Sequence, residues 1–404
     1  MGIVVIGAGQ AGATLVEKLR AGGYAGALTL VGAEPHLPYQ RPPLSKAYLL
    51  GEMVLEQLYL RPKSFYQDQG ITLRLGATVT SIDRAAKEVR LVGGEGLSYS
   101  RLALTTGSRP RHLPQAVGGA LEGVYTVRDL ADVDAMAPEF RPGARVLIIG
   151  GGYIGLEAAA VAASKGLKVT LIEMAPRILQ RVASPQTADY FRALHRDQDV
   201  DIKESIGLKR LIGDGRVTGA LLTNGETIQV DFAIAGIGIE PETGLAEACG
   251  LEIENGIKVD GHGRTSDADI FAAGDCTSFP YRGERIRLES VPNAIDQAEV
   301  VARVMLDQQG EYTAKPWFWS DQYDTKLQIA GLNSGYDSVF VRKGTREGAV
   351  SHWYYRGDNL LAVDAMNDPR AYMVGKRMIE MGASPAPSAV VAPETDLKSL
   401  LKGL

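Results

Sequence analysis

Two glycine triplets stand where a phosphate could be gripped. Gly150-x-Gly152-x-x-Gly155 follows an apolar run, Val146 to Ile149, and leads into an alanine-rich stretch. A second apolar run, Val169 to Ile172, then ends on an acid, Glu173. Gly7-x-Gly9-x-x-Gly12 has the same setting: Ile3 to Ile6 before it, an expected helix from Ala13 to Ala21, an expected strand from Ala27 to Val31, and Glu34 beyond. In such a strand, turn and helix, the first glycine permits the tight turn and the second lets the backbone approach a pyrophosphate. The third lets the helix pack closely on the strand. The helix N-terminus offers free amides and the positive end of its dipole to the phosphates. One triplet alone says little. The whole βαβ setting, appearing twice, predicts two dinucleotide sites and a hydride passing between two nucleotides.

Other chemistry-bearing residues fall around these units. Pro38 to Lys46 (PYQRPPLSK) delivers Arg41 and Lys46 close to the first phosphate site, on what its prolines predict to be an extended loop as far as Leu44. The run Thr106-Gly107-Ser108-Arg109-Pro110 places a strand end and a glycine turn where the chain could leave the first domain. Ile270 to Asp275 (IFAAGD) reads as a buried strand whose acid, Asp275, sits at the C-terminal edge of a parallel sheet, where ligands bind in such folds. Arg128 stands just before the second unit, and Phe232 to Gly238 is an apolar strand that runs into glycines.

The elements that must position these residues belong to an ordinary globular chain. It has 404 residues, enough for two or three domains, with 45% apolar and 23% charged residues. A net charge of −5 gives no overall basic field for nucleic acid or an anionic membrane. No apolar run reaches the roughly 20 residues that span a bilayer. The two cysteines, Cys249 and Cys276, have no metal-type or CxxC spacing, so neither a disulfide framework nor a metal site is expected; burial is the expected state of both, and the cytoplasm the expected location.

Between the two units, Ile71 to Leu75, Ala77 to Ile82 and Glu88 to Leu91 suggest an antiparallel excursion. After Glu173 come a helix from Ser184 to Gln198, short strands with an Asn224-Gly225 turn, and a helix from about Asn293 to Leu306. From Trp317 the character changes: aromatics cluster, and strands at Ser338 to Arg342, Ala349 to Tyr355 and Leu360 to Met366 precede a helix from about Pro369 to Met381. The Pro/Ala/Ser-rich stretch Ser384 to Pro393 reads as a linker to a short terminal helix containing Leu397, Leu400 and Leu401.

With these motifs placed, the chain resembles the two-dinucleotide flavoproteins of the glutathione reductase superfamily. It is most similar to the FAD-dependent ferredoxin reductases that serve bacterial cytochromes P450 and Rieske-type oxygenases. The stretches that carry the resemblance are HLPYQRPPLSKAYL, TTGSRP, GGGYIGLEAAA, AGIGIEP, AAGDC, ESVPNA and WFWSDQY, in that order across the whole chain. The resemblance implies an α/β fold: two Rossmann-like domains, for FAD (1–110 and 243–317) and NAD (111–242), and a C-terminal α+β domain (318–404). It implies FAD contacts at Gly7, Gly9, Ala11, Gly12, Arg41, Lys46, Val79, Thr106, Gly107, Arg128, Asp275, Val291 and Trp319. The ribose-binding acid is expected at Glu34, because the position where relatives often carry Asp is Ala33 here. It implies NAD contacts at Gly150, Gly152, Tyr153, Ile154, Gly155, Glu157, Glu173, Gly236, Ile237 and Gly238.

Dithiol members of the superfamily carry a Cys-x4-Cys pair on the flavin face, and Pro38 to Lys46 holds no cysteine. The resemblance therefore implies that electrons leave directly for an external acceptor. Lys46, paired with Glu157, is assigned to the flavin N5 edge, since either charge buried alone would be lost or cost several kcal/mol. Trp319 is assigned to the wall of the isoalloxazine and nicotinamide site. Glu173, followed by Met174 and Ala175 with no adjacent arginine pair, implies NADH rather than NADPH. The expected partner is an acidic two-iron, two-sulfur ferredoxin, transiently bound and passing electrons to an oxygenase, with the reductase a monomer or weak dimer. Candidate docking cations are Arg61, Lys326, Arg342, Lys343, Lys376 and Arg377, and Glu299 stands where a relative has an arginine. The five histidines fall in no catalytic spacing. Competing readings are a rubredoxin, monodehydroascorbate or nitrite reductase of the same fold, an NADH oxidase, which would need the single flavin-facing cysteine missing here, or a binding flavoprotein like apoptosis-inducing factor.

Overall fold

The first apolar run becomes the middle of a parallel sheet. In a computed structural model, which describes residues 1–402, strand Gly2–Ile6 is buried along its whole length. It lies between Leu28–Gly32 and Gly96–Leu104, with Ile71–Leu75 outside the former and Ile270–Ala272 beside the latter. Strands buried on both faces read as unbroken apolar runs rather than alternating ones, which is why this stretch shows no period of two. Helix Gln10–Ala21 packs against helix Val291–Met305, joining Leu15, Leu19, Ala298 and Val301 in one core cluster. Val79–Asp83 and Glu88–Leu91 form the antiparallel excursion on the start of Gly96–Leu104, but Ile71–Leu75, expected to belong to it, instead pairs parallel with Leu28–Gly32. These elements make one compact unit, Met1–Arg41, Val54–Arg109 and Ile239–Pro316.

The second compact unit comprises Pro42–Met53, Pro110–Gly238 and Trp317–Leu404. Its parallel sheet runs Asp201–Glu204, Lys168–Glu173, Arg145–Ile149, Phe232–Ala235 and Val124–Tyr125 in spatial order. Helix Tyr153–Ser164 follows the central strand. A three-stranded antiparallel ribbon (Leu208–Asp214, Arg216–Leu222, Thr227–Gln229) turns at Asn224-Gly225, where Gly225 has φ 89°. The same unit holds an antiparallel sheet in the order Trp317–Gln322, Thr325–Gly331, Asn359–Met366, Val350–Arg356, Ser338–Lys343, on which helix Pro369–Met381 packs.

Further local expectations are corrected. Pro38 to Leu44 is not extended throughout: Pro42–Ser45 is a 3-10 turn leading into a short helix, Ala47–Leu50. Proline at a first helical turn loses nothing, because its missing N–H would be unpaired there and its φ is already helical. Nor is Ser384 to Pro393 a plain linker. Pro387–Val391 forms a helical turn that buries Val390 and packs on strand Ser338–Lys343. The terminal segment Leu397–Leu401 is 3-10, with Leu397 buried. Among the described residues, no helix is long and apolar enough to cross a membrane.

Candidate functional site

The two glycine turns have the same geometry, residue for residue. Gly7 and Gly150 adopt φ 111° and 109°, values that side chains rarely tolerate. A Cβ on Gly7 would lie 2.1 Å from the Thr105 carbonyl oxygen, and one on Gly150 2.4 Å from that of Gly236. A Cβ on Gly12 would lie 1.9 Å from the Gly7 carbonyl oxygen, and one on Gly155 2.1 Å from that of Gly150. First and third glycines are thus required by the protein's own packing. The second is not: Gly9 and Gly152 are helix N-caps with extended backbone, and a Cβ on either would meet nothing within 4 Å. The space beside both middle glycines is open, and it leaves room for a pyrophosphate drawn against the backbone amides.

Around the first turn, Ala11 is buried and Val291 opens helix Val291–Met305 behind its Ser290 cap. The Thr106 hydroxyl donates to the Glu242 carbonyl at 2.6 Å, and Gly107, at φ 72°, accepts from the Glu242 amide. Ser108 Oγ donates to Asp275 at 3.0 Å, fixing that carboxylate just past Gly274. The Glu34 carboxylate accepts from Arg41 and from the Tyr39 hydroxyl, each at 2.5 Å, so the acid and the cation assigned to the same nucleotide hold each other. Val79 lies in the core beneath the sheet, in the cluster around Val4, Leu91 and Leu104.

Around the second turn, Glu173 is clamped by two backbone amides, from Gly151 and from Ala175, both at 2.7 Å. The clamp sets the acid at the end of its strand. Gly236 donates to the Ile149 carbonyl, and Gly238, at φ 103°, accepts from the Arg111 amide. Ile154 is exposed at the helix start, and the Tyr153 hydroxyl is buried with no hydrogen-bond partner among the described residues, its ring 5.1 Å from that of Phe318. The Arg128 amide donates to Asp132, in the second unit. Trp319 is partly exposed on strand Trp317–Gln322 and stacks with Trp317 at 5.6 Å.

The densest electrostatics surround Glu157. Helix Tyr153–Ser164 buries it to 2% exposure, and Lys46 Nζ sits 3.0 Å from its Oε1. Ser45 Oγ donates to Oε2 at 3.0 Å and Ser320 Oγ to Oε1 at 2.6 Å. Burial pushes this carboxyl above its ordinary range, while Lys46, Ser320 and Ser45 pull it back. Lys46 is held by the short helix it caps, which is tied down by Lys165 donating to the Leu50 carbonyl and Tyr48 donating to Asp134. Both cysteine thiols are pushed up by burial, Cys276 wholly buried and Cys249 partly, which makes them poor nucleophiles.

The docking candidates do not all survive. Arg342 is 6% exposed and donates to the carbonyls of Val390, Ala392 and Thr395, so it is an internal staple and not a surface cation. The reason is that the helical turn at Pro387–Val391 covers that strand and the chain from Val390 to Thr395 brings carbonyls that need donors. Arg61 is paired with Glu17, and Lys376 with Glu380. Lys326, Lys343 and Arg377 are exposed. Glu299 is paired with Lys18 at 2.7 Å. Sequence reasoning missed Ser45, Ser320, Gln322 and His195, four ordinary residues whose only signal is the i, i+2 spacing of Ser320 and Gln322 on a strand.

Residues 1–298 match the family described as pyridine nucleotide-disulphide oxidoreductase, and residues 317–401 match a reductase C-terminal domain. The chain belongs to the pyridine nucleotide-disulphide oxidoreductase family. A ferredoxin–NAD(P)+ reductase of a Sphingomonas species is 43% identical over 404 residues, covering 99% of this chain and 97% of that protein. Rhodocoxin reductase of Rhodococcus erythropolis is 40% identical, covering 98% and 94%. Among solved structures, the covalent complex of putidaredoxin reductase with putidaredoxin matches with a TM-score of 0.96 at 38% identity, covering 99% of this chain and 98% of that one.

Proposed function

We propose that the chain is an NADH-dependent flavoprotein reductase that passes electrons singly to a two-iron, two-sulfur ferredoxin serving a cytochrome P450 or Rieske-type oxygenase. The observation that carries this reading is the pair of glycine turns whose middle glycines face open space, in a chain with no flavin-facing thiol pair. Relatives that span nearly the whole chain and are named ferredoxin and rhodocoxin reductases support it.

In this reading residues 1–110 and 243–317 hold FAD, 111–242 hold NADH, and 318–404 form the C-terminal domain. FAD, when bound, accepts a hydride from the nicotinamide nucleotide and releases its electrons one at a time. The protein binds and tunes. Gly7, Gly9 and Gly12 open the backbone to the pyrophosphate, Arg41 neutralises it, and Glu34 holds the adenosine ribose. Ala11, Val79, Thr106, Gly107, Arg128, Asp275 and Val291 complete the FAD set. Gly150, Gly152, Tyr153, Ile154, Gly155 and Gly236 to Gly238 receive NADH, and the amide-clamped Glu173 accepts from its ribose 2′-hydroxyl while repelling a 2′-phosphate. Lys46 and Glu157 set the electrostatics at the flavin edge, and Trp319 excludes water from it. The ferredoxin is acidic and docks transiently on cations that include Lys326, Lys343 and Arg377, the reductase acting as a monomer or weak dimer.

The test is NADH-driven cytochrome c reduction with and without an added two-iron ferredoxin, repeated with rubredoxin and with NADPH. Ferredoxin dependence that weakens with salt, and a preference for NADH, are expected. Turnover independent of ferredoxin, or equal efficiency with both nucleotides, counts against the reading.

A further inference from the structure

From Glu157 a single file of hydrogen bonds runs through the interior of the second unit. Ser320 Oγ lies 2.6 Å from Glu157 Oε1, and Gln322 Nε2 lies 3.2 Å from Ser320 Oγ. Gln322 Oε1 lies 2.8 Å from His195 Nε2, and His195 Nδ1 lies 3.2 Å from the Tyr323 hydroxyl. Ser320, Gln322 and His195 are fully buried. Ser320 and Gln322 share one face of strand Trp317–Gln322, two residues apart, while His195 comes from the last turn of helix Pro185–Arg196. Tyr323 follows the strand at φ 55°, a left-handed turn residue at the outer end of the file.

The direction of the file follows from the carboxylate. An ionised Glu157 can only accept, so Ser320 must donate to it and must itself accept from Gln322. A glutamine nitrogen only donates and its oxygen only accepts, so the oxygen faces His195 and accepts a hydrogen bond from Nε2–H. Neutral imidazole then has its lone pair at Nδ1, which accepts from the Tyr323 hydroxyl. Burial holds His195 down to about 4, so it is neutral at ordinary pH. Every donor points toward Glu157. The amide in the middle cannot pass a proton along without changing its bonding, so the file acts through its aligned dipoles, each polarising the next.

We propose that Ser320, Gln322 and His195 are positioning residues, a one-way relay of hydrogen bonds that keeps Glu157 ionised and directed at Lys46. The proposal rests on the reading of Lys46 and Glu157 given above. Lys46 is the charged group paired with Glu157, and Ser45 and Ser320 supply its neutral donors. Beside His195 stand only Gln322 and the Tyr323 ring, 5.2 Å away, among its described contacts.

The experiment uses the purified flavoprotein. The infrared band of protonated Glu157, identified by its loss in Glu157→Gln, is followed through a pH titration. Ser320→Ala is expected to raise the apparent pKa by about one unit, a factor of ten in the protonation equilibrium, and Gln322→Leu by somewhat less. The double variant should go no further than Ser320→Ala alone, because both cut the same file. His195→Gln, which keeps a donor in place of Nε2, should titrate like the wild type, and His195→Phe like Gln322→Leu. Flavin reduction by NADH should slow severalfold in the same order. If Gln322→Leu does not fold, Tyr323→Phe, which removes one oxygen at the outer end, must still move the titration upward. Wild-type titration in the relay variants, or additive shifts, overturns the proposal. A Glu157→Gln variant that reduces its flavin at the wild-type rate would instead overturn the reading on which the proposal rests.

Discussion

Lys46→Met removes a charge and leaves a stem of similar length, so it isolates what the cation does for Glu157. The carboxylate would remain 2% exposed, with only the Ser45 and Ser320 hydroxyls as partners. Removing one partner of a buried ion pair costs about 3–5 kcal/mol. Lys46 keeps 19% of its side chain in water, so the lower end, about 3 kcal/mol, is the expectation. At about 2–4 °C per kcal/mol for domains of 150–250 residues, that is a fall of about 6–12 °C in Tm. The deficit must depend on pH. Burial already raises the Glu157 carboxyl, and losing the cation raises it further. A carboxyl whose folded pKa lies above its unfolded one destabilises most at high pH. That cost disappears as pH falls through the folded value toward the unfolded one, near 4.3. The deficit measured by calorimetry should therefore be largest near pH 8 and close toward pH 5. Lys46→Met with Glu157→Gln should regain most of the stability, since no unpaired charge remains, yet reduce its flavin as slowly as Lys46→Met in stopped flow. Equal deficits at both pH values, together with wild-type reduction by NADH, would refute the reasoning.

The glycine turns separate packing from binding. Gly12→Ala and Gly155→Ala should lower Tm sharply or fail to fold, whereas Gly9→Ala and Gly152→Ala should fold normally and lose FAD and NADH respectively, as read by flavin absorbance and NADH titration. Arg342→Ala should destabilise the chain by about 2–4 kcal/mol, through three carbonyls left unpaired, and leave the salt dependence of ferredoxin reduction unchanged; a changed salt slope with normal stability would restore Arg342 to the docking surface. Asp364 is fully buried, accepts from Thr187 and Tyr354, and is pushed up to about 6 by burial. Because its folded value is raised, its cost is present above pH 6 and lost as pH falls toward 4. Asp364→Asn should therefore be the more stable protein at pH 8, by up to about 3 kcal/mol, with the gap closing by pH 4. A gap that widens on acidification would show the sign to be wrong.

What the sequence determined by itself was local. The φ of Gly7 and Gly150, the packing demands on Gly12 and Gly155, and the unbroken apolar runs of the central strands are settled within a few residues of chain, so the two nucleotide units could be read directly. The resemblance carried the pairing of Lys46 with Glu157, which composition and spacing alone do not give. What only the tertiary structure decided depends on chain segments far apart in sequence. Arg342 looks like any surface cation until the turn at Pro387–Val391 packs on its strand and the chain from Val390 to Thr395 presents three carbonyls to it. Ser45, Glu157, His195, Ser320 and Gln322 are common residues on four different stretches, and apart from the two-residue spacing of Ser320 and Gln322 no periodicity links them. They become one hydrogen-bonded file because the second unit folds their backbones together and water is kept out, and only in that dry interior must every polar atom find its partner.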